Sequence, residues 1–305
     1  MDDQSHRAFD MRITLLGTGG PELSVDRLGS ATLIEAGGEL LLFDAGRGVM
    51  QRLYECGVKL NSVTKVFFTH LHSDHIEGLP NLWITPWFLL GRKARMHFWG
   101  PEGTSSMLDG MRQFLGRDVI VRAEEGAPAS DLDYHIVEFS GRTEIYRSNG
   151  VVVTAVPVDH KDGNPAYGFL IDYAGRRIIL SGDCTFSEDL ANAGPADVVV
   201  HNVFAPSAEL LARDPFKRTV AEKLASPEQA SEVFRRSAAR LGVYTHVIRM
   251  DSTYAQIVER TRIAGFHAPL IVGEDRMRIT ISHDVRIEHP CDLRELADVT
   301  QRGDG

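Results

Sequence analysis

The chain is poor in cysteine and has no long apolar run. Its three cysteines, Cys56, Cys184 and Cys291, are far apart, odd in number and outside any metal-type spacing, which argues against a disulfide framework. No apolar stretch approaches the roughly 20 residues that a membrane-spanning helix needs. The first ten residues are polar and acidic, unlike a secretory signal. We therefore expect a reduced, cytoplasmic protein that does not contact a membrane.

Positive charge is scarce as well. The chain has 33 Lys and Arg residues against 42 Asp and Glu residues, which gives a formal net charge of −9. Non-specific binding to nucleic acid or to an anionic membrane needs an excess of basic side chains. The overall charge therefore argues against both partners, although it leaves a local basic patch open.

The rest of the composition is that of a globular protein, with 43% apolar and 25% charged residues. A length of 305 residues suits one large α/β domain or two small ones. Strand and helix patterns alternate along the chain without a linker between them. We therefore predict a single domain over residues 1–305, with residues 1–10 and 290–305 as peripheral tails.

Apolar periodicity and turn residues predict the elements of this domain. Strands are predicted at 11–16, 30–35, 39–43, 63–68, 94–99, 196–200, 243–247, 269–272 and 278–282, with a hairpin over 166–180 and a β-rich middle over 118–158. Helices are predicted at 48–56, 79–89, 104–115, 227–241 and 254–262, and Ser226 is the expected N-cap of the fourth.

The most informative segment is Thr-His-Leu-His-Ser-Asp-His at 69–75, directly after the predicted strand 63–68. Its ligand-type residues are His70, His72, Asp74 and His75. Imidazole nitrogen and carboxylate oxygen suit zinc and neighbouring metals such as manganese or iron. His70 and His72 share one face of an extended chain, whereas Asp74 and His75 come round the turn and can face a second ion. The segment therefore predicts a site for two metals.

Further ligand candidates each close a predicted strand: Asp44, His160, Asp183 and His246. Taken alone, a polar residue at a strand end is more often a cap or a turn residue. Taken with the histidine-rich segment these residues gain weight, because four residues at one turn cannot complete two metal shells. Open α/β architectures also assemble their sites at strand ends.

The order of these motifs resembles the metallo-β-lactamase fold superfamily. The motifs are THLHSDH, Asp159-His160, Ser181-Gly182-Asp183 and Tyr244-Thr245-His246, and the likeness continues in LGTGGP, LLFDAGRG, SPEQASEVF and VGEDRM. Within the superfamily, the arylsulfatase-like and ribonuclease Z-like branch is the most similar. The resemblance implies a four-layer αββα sandwich of the α/β class, and a metal-dependent hydrolase that is often a dimer.

The resemblance also implies which residues form the site. His70, His72 and His160 would bind one ion, Asp74, His75 and His246 the other, and Asp183 would bridge both. Asp44 would orient a ligand histidine. Two divalent ions roughly 3.5–4 Å apart, most simply Zn²⁺ with Mn²⁺ or iron as alternatives, can share a hydroxide and clamp a developing oxyanion. We expect Asp74 and Asp183 to be the catalytic carboxylates of such a site.

The chain differs at two positions from the branch that it resembles. Relatives in that branch carry a histidine and a glutamate thought to protonate the leaving group, and this chain has Leu224 and Asn202 there. The segment 100–126 also lacks a long basic, glycine-rich arm of the kind that such nucleases use to hold RNA. We therefore predict as substrate a small-molecule ester with a good leaving group, such as an aryl sulfate, a phosphodiester or a lactone, and no nucleic acid. A different proton donor, with His201 as candidate, is the other way to explain the missing pair.

Two alternatives to this function stay open: a ribonuclease Z-type phosphodiesterase, and a non-hydrolytic metal-binding accessory protein on the same fold. Two smaller questions also remain at this point. Cys184 is expected to be a packed side chain rather than a nucleophile. The aromatic residues Trp83, Trp87 and Phe88 either line an apolar substrate wall or belong to the core.

Overall fold

The structure is a computed structural model that describes residues 9–290. The tails predicted at 1–10 and 290–305 lie outside these residues except for positions 9, 10 and 290. Two β-sheets form the centre of the fold. In order across the first sheet, the strands are β15 (Val285–Glu288), β14 (Arg278–Ile281), β1 (Met11–Gly17), β2 (Ala31–Ala36), β3 (Glu39–Phe43), β4 (Lys65–Phe67), β5 (Met96–Gly100) and β6 (Tyr134–Glu138).

The second sheet has seven strands and faces the first. In order, they are β13 (Leu270–Val272), β12 (Leu241–Ile248), β11 (Val198–Phe204), β10 (Arg176–Leu180), β9 (Ala166–Tyr173), β8 (Val151–Val158) and β7 (Thr143–Ser148). The α-helices are α1 (Val49–Glu55), α2 (Ser73–Ile76), α3 (Leu79–Leu90), α4 (Thr104–Glu124), α5 (Glu188–Ala191), α6 (Ala208–Arg213), α7 (Pro215–Ala221), α8 (Pro227–Arg236) and α9 (Tyr254–Ile263).

Three hydrophobic layers hold the sheets and helices together. The central layer lies between the sheets and includes stacked rings, with Phe67 5.0 Å from Phe43 and 4.5 Å from Trp99 between ring centroids. The outer face of the first sheet packs against α1, α3 and α4, and that of the second sheet against α5, α8 and α9. The predicted α/β class and four-layer αββα sandwich are thus confirmed.

Alternation along a strand explains how one sequence serves two layers. In β11, Val198 and Val200 face the central layer, whereas Val199 faces the outer layer under α8. Both faces of β11 are therefore buried, which is why this strand reads as a nearly continuous apolar run. Burial of each such aliphatic or aromatic side chain stabilises the fold by about 1.5–3 kcal/mol.

Several predicted elements differ from the observed ones. Helix α4 continues to Glu124, so the prediction of a β-rich segment from 118 onward is wrong at its start. The reason is a four-residue spacing of side chains that pack on the first sheet, at Met107, Met111, Leu115 and Val119. The predicted strand 63–68 shortens to β4, and β15 was not predicted because residues beyond 282 were left without an element.

The helix predicted at 227–241 ends at Arg236 instead. It begins as expected, because Ser226 and Gln229 form a capping box in which each side chain accepts a hydrogen bond from the other residue's backbone N–H. It ends early because Ala238 adopts a positive φ of 47° and Leu241 already belongs to β12. Among residues 9–290, no helix is long and apolar enough to cross a lipid bilayer.

Candidate metal centre

The histidine-rich segment follows β4 directly and enters the short helix α2. His70 and His72 lie on extended chain, whereas Asp74 and His75 lie in the first turn of α2. His70, Asp74 and His75 are buried, and His72 is partly exposed. The change from extended chain to helix turns the two pairs of side chains towards different parts of one centre.

The structure brings together all seven residues that the sequence singled out as ligands. They form three groups whose ligand-type atoms lie within 4.8 Å of one another: His70, His72 and His160; His70, His75 and Asp183; and Asp74, His75 and His246. These side chains come from separate places in the chain. The ends of β4, β8 and β10 and an internal position in β12 therefore meet at one point.

Asp183 lies at the middle of this arrangement. Its Oδ2 atom is 3.1 Å from Nε2 of His246, 3.5 Å from Nε2 of His75 and 3.9 Å from Nε2 of His160. Asp74 is on one side only, with its Oδ2 atom 3.1 Å from Nε2 of His246. Asp183 is therefore the carboxylate that reaches histidines of every group.

Hydrogen bonds outside the centre fix the orientation of its histidines. Nδ1 of His75 lies 2.7 Å from Oδ2 of Asp44, whose Oδ1 accepts a hydrogen bond from the backbone N–H of Thr69. Nδ1 of His160 lies 2.7 Å from the backbone oxygen of Lys223. Because a carboxylate and a carbonyl can only accept, both rings carry their proton on Nδ1 and direct Nε2 into the centre.

Burial and neighbouring charges shift the pKa values of the side chains in the centre in different directions. Burial and the neighbouring His75 hold the pKa of His70 well below its usual value, so its ring is neutral. Burial alone would raise the pKa of Asp183, but the charges of His246 and His75 outweigh it and hold that pKa well below the usual range. Burial likewise would lower the pKa of His75, yet Asp44 and Asp183 raise it well above its usual value. A cation that binds at His75 must therefore displace a proton.

The centre also contains buried polar atoms without a partner. Nε2 of His70 and Nε2 of His75 have no hydrogen-bond partner and are shielded from solvent. Leaving a buried donor or acceptor unsatisfied costs roughly 1–3 kcal/mol. Imidazole nitrogens and carboxylate oxygens that converge in this way match the ligand set of zinc and its neighbours. The residues present therefore fit a metal ion, and the Asp183 carboxylate lies within 4 Å of histidines from different groups.

His246 was expected at the end of a strand, and this expectation is wrong. It lies inside β12, where Thr245 pairs with Asn202 and Val247 pairs with Val203, so His246 is the extra residue of a β-bulge. Its φ of 45° is unusual for a residue with a side chain. Pairing to β11 on both sides of the bulge holds this strained backbone and turns the imidazole into the centre.

Two glycines that the sequence did not single out make room for the ligands. A Cβ atom at Gly20 would lie 2.9 Å from Cε1 of His246, and one at Gly163 would lie 2.1 Å from Cδ2 of His160. Gly20 belongs to the LGTGGP motif, so its proximity to a motif was the available signal. Gly163 sits three residues after a ligand, in a turn that gave no such signal.

A cavity of about 440 Å³ opens beside the centre. Candidate ligand residues form part of its lining, and a second side is apolar, formed by Phe204, Phe216, Val220, Leu224, Ile248 and Met250. We call this second side the apolar wall. For Trp83 and Trp87, the sequence left two alternatives, a substrate wall or the core. Both side chains are buried, and their indole N–H groups donate to the backbone oxygens of Leu132 and Pro128. They belong to the core, and Phe88 packs beside them.

The structure also gives the positions of Cys184 and His201, the remaining residues considered for a chemical role. Cys184 is buried as expected, and burial raises the pKa of its thiol. Burial lowers the pKa of His201 to about 4, and Nδ1 of this ring lies 3.0 Å from the backbone oxygen of Asn202. His201 is buried on the α8 side of β11, with its ring 6.0 Å from that of Phe234, and the cavity is not lined by it. It is not placed to protonate a leaving group.

A second cavity, of about 610 Å³, adjoins the first through Lys217, Glu22 and Met250. It is lined by Arg27 and Arg249, whose guanidinium groups lie 5.1 and 4.7 Å from the ring centroid of Tyr254. Three basic side chains, Arg27, Lys217 and Arg249, therefore line this cavity together with two acidic ones, Glu22 and Asp251. Basic side chains outnumber acidic ones here, in a chain whose net charge is negative, and net charge could not exclude such a local excess.

Comparison with known proteins identifies relatives of the chain. The family model described as Anti-Pycsar protein Apyc1 matches residues 11–208. Ribonuclease Z of Mycobacterium sp. (strain KMS) is 31% identical over 286 residues, which cover 91% of this chain and 99% of that protein.

Two solved structures share the fold. The metallo-β-lactamase fold protein YhfI from Bacillus subtilis superposes with a TM-score of 0.68 at 15% identity, covering 91% of this chain and 99% of its own. Human tRNase Z, short form, superposes with a TM-score of 0.64 at 24% identity, covering 89% and 99%.

These relatives correct one prediction. A small-molecule substrate with no nucleic acid was predicted, but the relatives are named ribonuclease Z and tRNase Z, enzymes of RNA. The prediction relied on net charge and on the lack of a basic arm, and both overlook basic residues that come together only in the fold. The arylsulfatase-like part of the resemblance stays a prediction. The chain belongs to the Anti-Pycsar protein Apyc1 family and is a metal-dependent hydrolase of the metallo-β-lactamase superfamily, related to ribonuclease Z over nearly its whole length.

Proposed function

We propose that the chain is a two-metal phosphodiesterase of the ribonuclease Z type that cleaves a phosphodiester bond in RNA. The observation that carries the proposal is the position of Asp183, which lies within 4 Å of histidines from both sides of the centre. Basic side chains next to the centre and the ribonuclease Z relatives support a nucleic-acid substrate.

The proposed ligand assignment follows the three groups of side chains. His70, His72 and His160 would hold one ion, Asp74, His75 and His246 would hold the other, and Asp183 would contribute to both sites. Zn²⁺ is the simplest occupant, because the set is dominated by imidazole with few carboxylates. Asp44 and the backbone oxygen of Lys223 keep two of the imidazoles in the required tautomer.

When bound, two divalent ions supply an activated water and neutralise charge on the phosphate. The chain supplies the rest. With the ions bound, Asp74 would accept the proton of the attacking water, because its carboxylate lines the cavity. The apolar wall excludes bulk water from the opposite side of the cavity.

The leaving group receives no proton from the two positions at which the resembled branch has its acid. Leu224 packs with Phe204 and Ile248 in the apolar wall. Asn202 is buried and donates from Nδ2 to the backbone oxygen of Cys184, so it stabilises the loop that carries Asp183. We therefore expect cleavage to depend strongly on how well the leaving oxygen accommodates negative charge.

Metal content and RNA cleavage measured on one preparation test the proposal. We expect about two equivalents of zinc by mass spectrometry, and cleavage of a precursor tRNA or an unstructured RNA that stops after chelation and returns with added Zn²⁺. Bis(p-nitrophenyl) phosphate, which has a good leaving group, serves as a chemical probe of the same centre. Two equivalents of metal without cleavage of any RNA contradict the proposal.

A further inference from the structure

The apolar wall places an exposed aromatic ring beside the metal centre. Phe204, Leu224 and Ile248 form a small buried cluster of their own, against which Val220, Ala221 and Met250 pack. Phe216 lines the same cavity but is not part of the cluster, and 68% of its surface is exposed to solvent. An apolar ring held open at the mouth of a reaction site is a typical contact for a substrate.

The helix that carries Phe216 is well fixed. Asp214 caps α7 through its side chain, which accepts from the backbone N–H of Lys217, and Pro215 occupies the first turn. The preceding helix α6 is tied down by Ser207, whose N–H and hydroxyl both donate to Asp251. The chain then continues from α7 to Lys223, whose carbonyl holds His160. The segment that carries Phe216 is therefore anchored by hydrogen bonds before, within and after α7.

Positive charge lies next to this ring. Nζ of Lys217 is 5.4 Å from the centroid of the Phe216 ring, and Lys217 lines both the 440 Å³ cavity and the adjoining basic one. Proteins that bind single-stranded nucleic acid combine aromatic rings, on which the bases stack, with positive charge near the phosphates. Phe216 and Lys217 provide such a pair beside the centre.

We infer that Phe216 stacks on the base of the nucleotide next to the scissile phosphodiester, with the apolar wall behind that base and Lys217 at a neighbouring phosphate. The inference rests on the proposed function and names the residue that positions its substrate. Because stacking tolerates any base, Phe216 contributes to affinity for a nucleotide and gives little sequence preference.

Binding of mononucleotides to the metal-loaded protein tests this inference without any cleavage, since mononucleotides contain no phosphodiester bond. We expect adenosine 5′-monophosphate to bind about tenfold or more tightly than ribose 5-phosphate by calorimetry. Phe216→Ala should remove about tenfold of that affinity, Phe216→Trp should retain it, and Phe216→Leu should lose most of it. In RNA cleavage, Phe216→Ala should raise KM more than it lowers kcat.

Phe114→Ala is the matched control, because Phe114 is 79% exposed on α4 and contributes to neither cavity. It should bind and cleave as the unaltered protein does. Equal affinity for ribose 5-phosphate and the mononucleotide, or a Phe216→Leu variant that binds normally, overturns the stacking. Cleavage of RNA alongside either result leaves the proposed function intact, whereas base-dependent binding without RNA cleavage overturns the proposed function alone.

Discussion

The metal side and the apolar wall of the 440 Å³ cavity differ in the kind of side chain that forms them. On the metal side, the side chains are imidazoles and carboxylates that could hold a metal ion, and hydrogen bonds orient the rings of His75 and His160. On the apolar wall, the expected acid is replaced by Leu224, and the side chains contact one another instead of a polar partner. The chemistry of the metal ligands fixes the first side, whereas the second side can change with the substrate.

Lys223 and Leu224 show how adjacent residues obey different rules. The backbone oxygen of Lys223 holds Nδ1 of His160, a role that any residue at this position can fill. The side chain of Leu224 faces the apolar wall, where its identity decides whether a proton donor is present. Adjacent residues of one loop therefore contact the metal side through the backbone and the apolar wall through a side chain.

Asp183→Asn is the change expected to break the metal side most completely. A neutral amide cannot bridge two cations, so we expect RNA cleavage to fall by about 10³-fold or more. Zinc content measured by mass spectrometry should drop below two equivalents. Asp189→Asn, at an exposed position on α5, is the control and should change neither quantity. Full metal content with full activity in Asp183→Asn would remove Asp183 from its proposed bridging place.

Asp44→Asn should weaken the metal side indirectly, because Asp44 acts through the His75 ring. Asp44 accepts from Nδ1 of His75, and loss of such a partner typically lowers metal affinity by about 10–100-fold. The pKa of His75, raised by Asp44 and Asp183, should fall, so less proton displacement accompanies metal binding. Chelator competition across roughly pH 6–9 measures both effects. An unchanged affinity would mean that the His75 ring is held by other contacts.

The combined change Leu224→His with Asn202→Glu introduces the histidine and glutamate pair of the branch that the chain resembles. A general acid near the leaving oxygen contributes about 10²–10⁴-fold in favourable cases. We expect only about a tenfold gain in RNA cleavage, because a glutamate side chain cannot replace the hydrogen bond that Nδ2 of Asn202 donates to Cys184. The gain should be much smaller with bis(p-nitrophenyl) phosphate, whose leaving group needs no proton. Equal gains on both substrates would indicate a general change of the site rather than an added acid.

The same division explains how far the sequence alone could predict the protein. The metal side was predictable because ligand chemistry restricts residue types and the segment at 69–75 places four of them together. The bulge at His246 was not, because it depends on pairing between β11 and β12. Helices α6 and α7 were missed as well, so Phe216 had no predicted context. The substrate class was wrong because net charge is a sum over the chain, whereas Arg27, Lys217 and Arg249 meet only in the fold.

His201 gives the smallest expected effect on catalysis and a clear effect on stability. Burial lowers its pKa to about 4, so the folded protein holds the ring neutral while the unfolded chain takes up a proton near pH 6.5. Stability from this group is therefore complete above pH 6.5 and is lost as the pH falls towards 4, by about 2 kcal/mol between pH 8 and pH 5. Urea unfolding of the protein and of His201→Gln at both pH values should show that the variant lacks this part of the loss. Metal release at low pH affects both proteins alike and cancels in the comparison.

The pH profile of kcat should be the same in the two proteins, because His201 lies on the α8 side of β11 and not in the cavity. A shifted kcat profile would instead make His201 the proton donor that the apolar wall lacks.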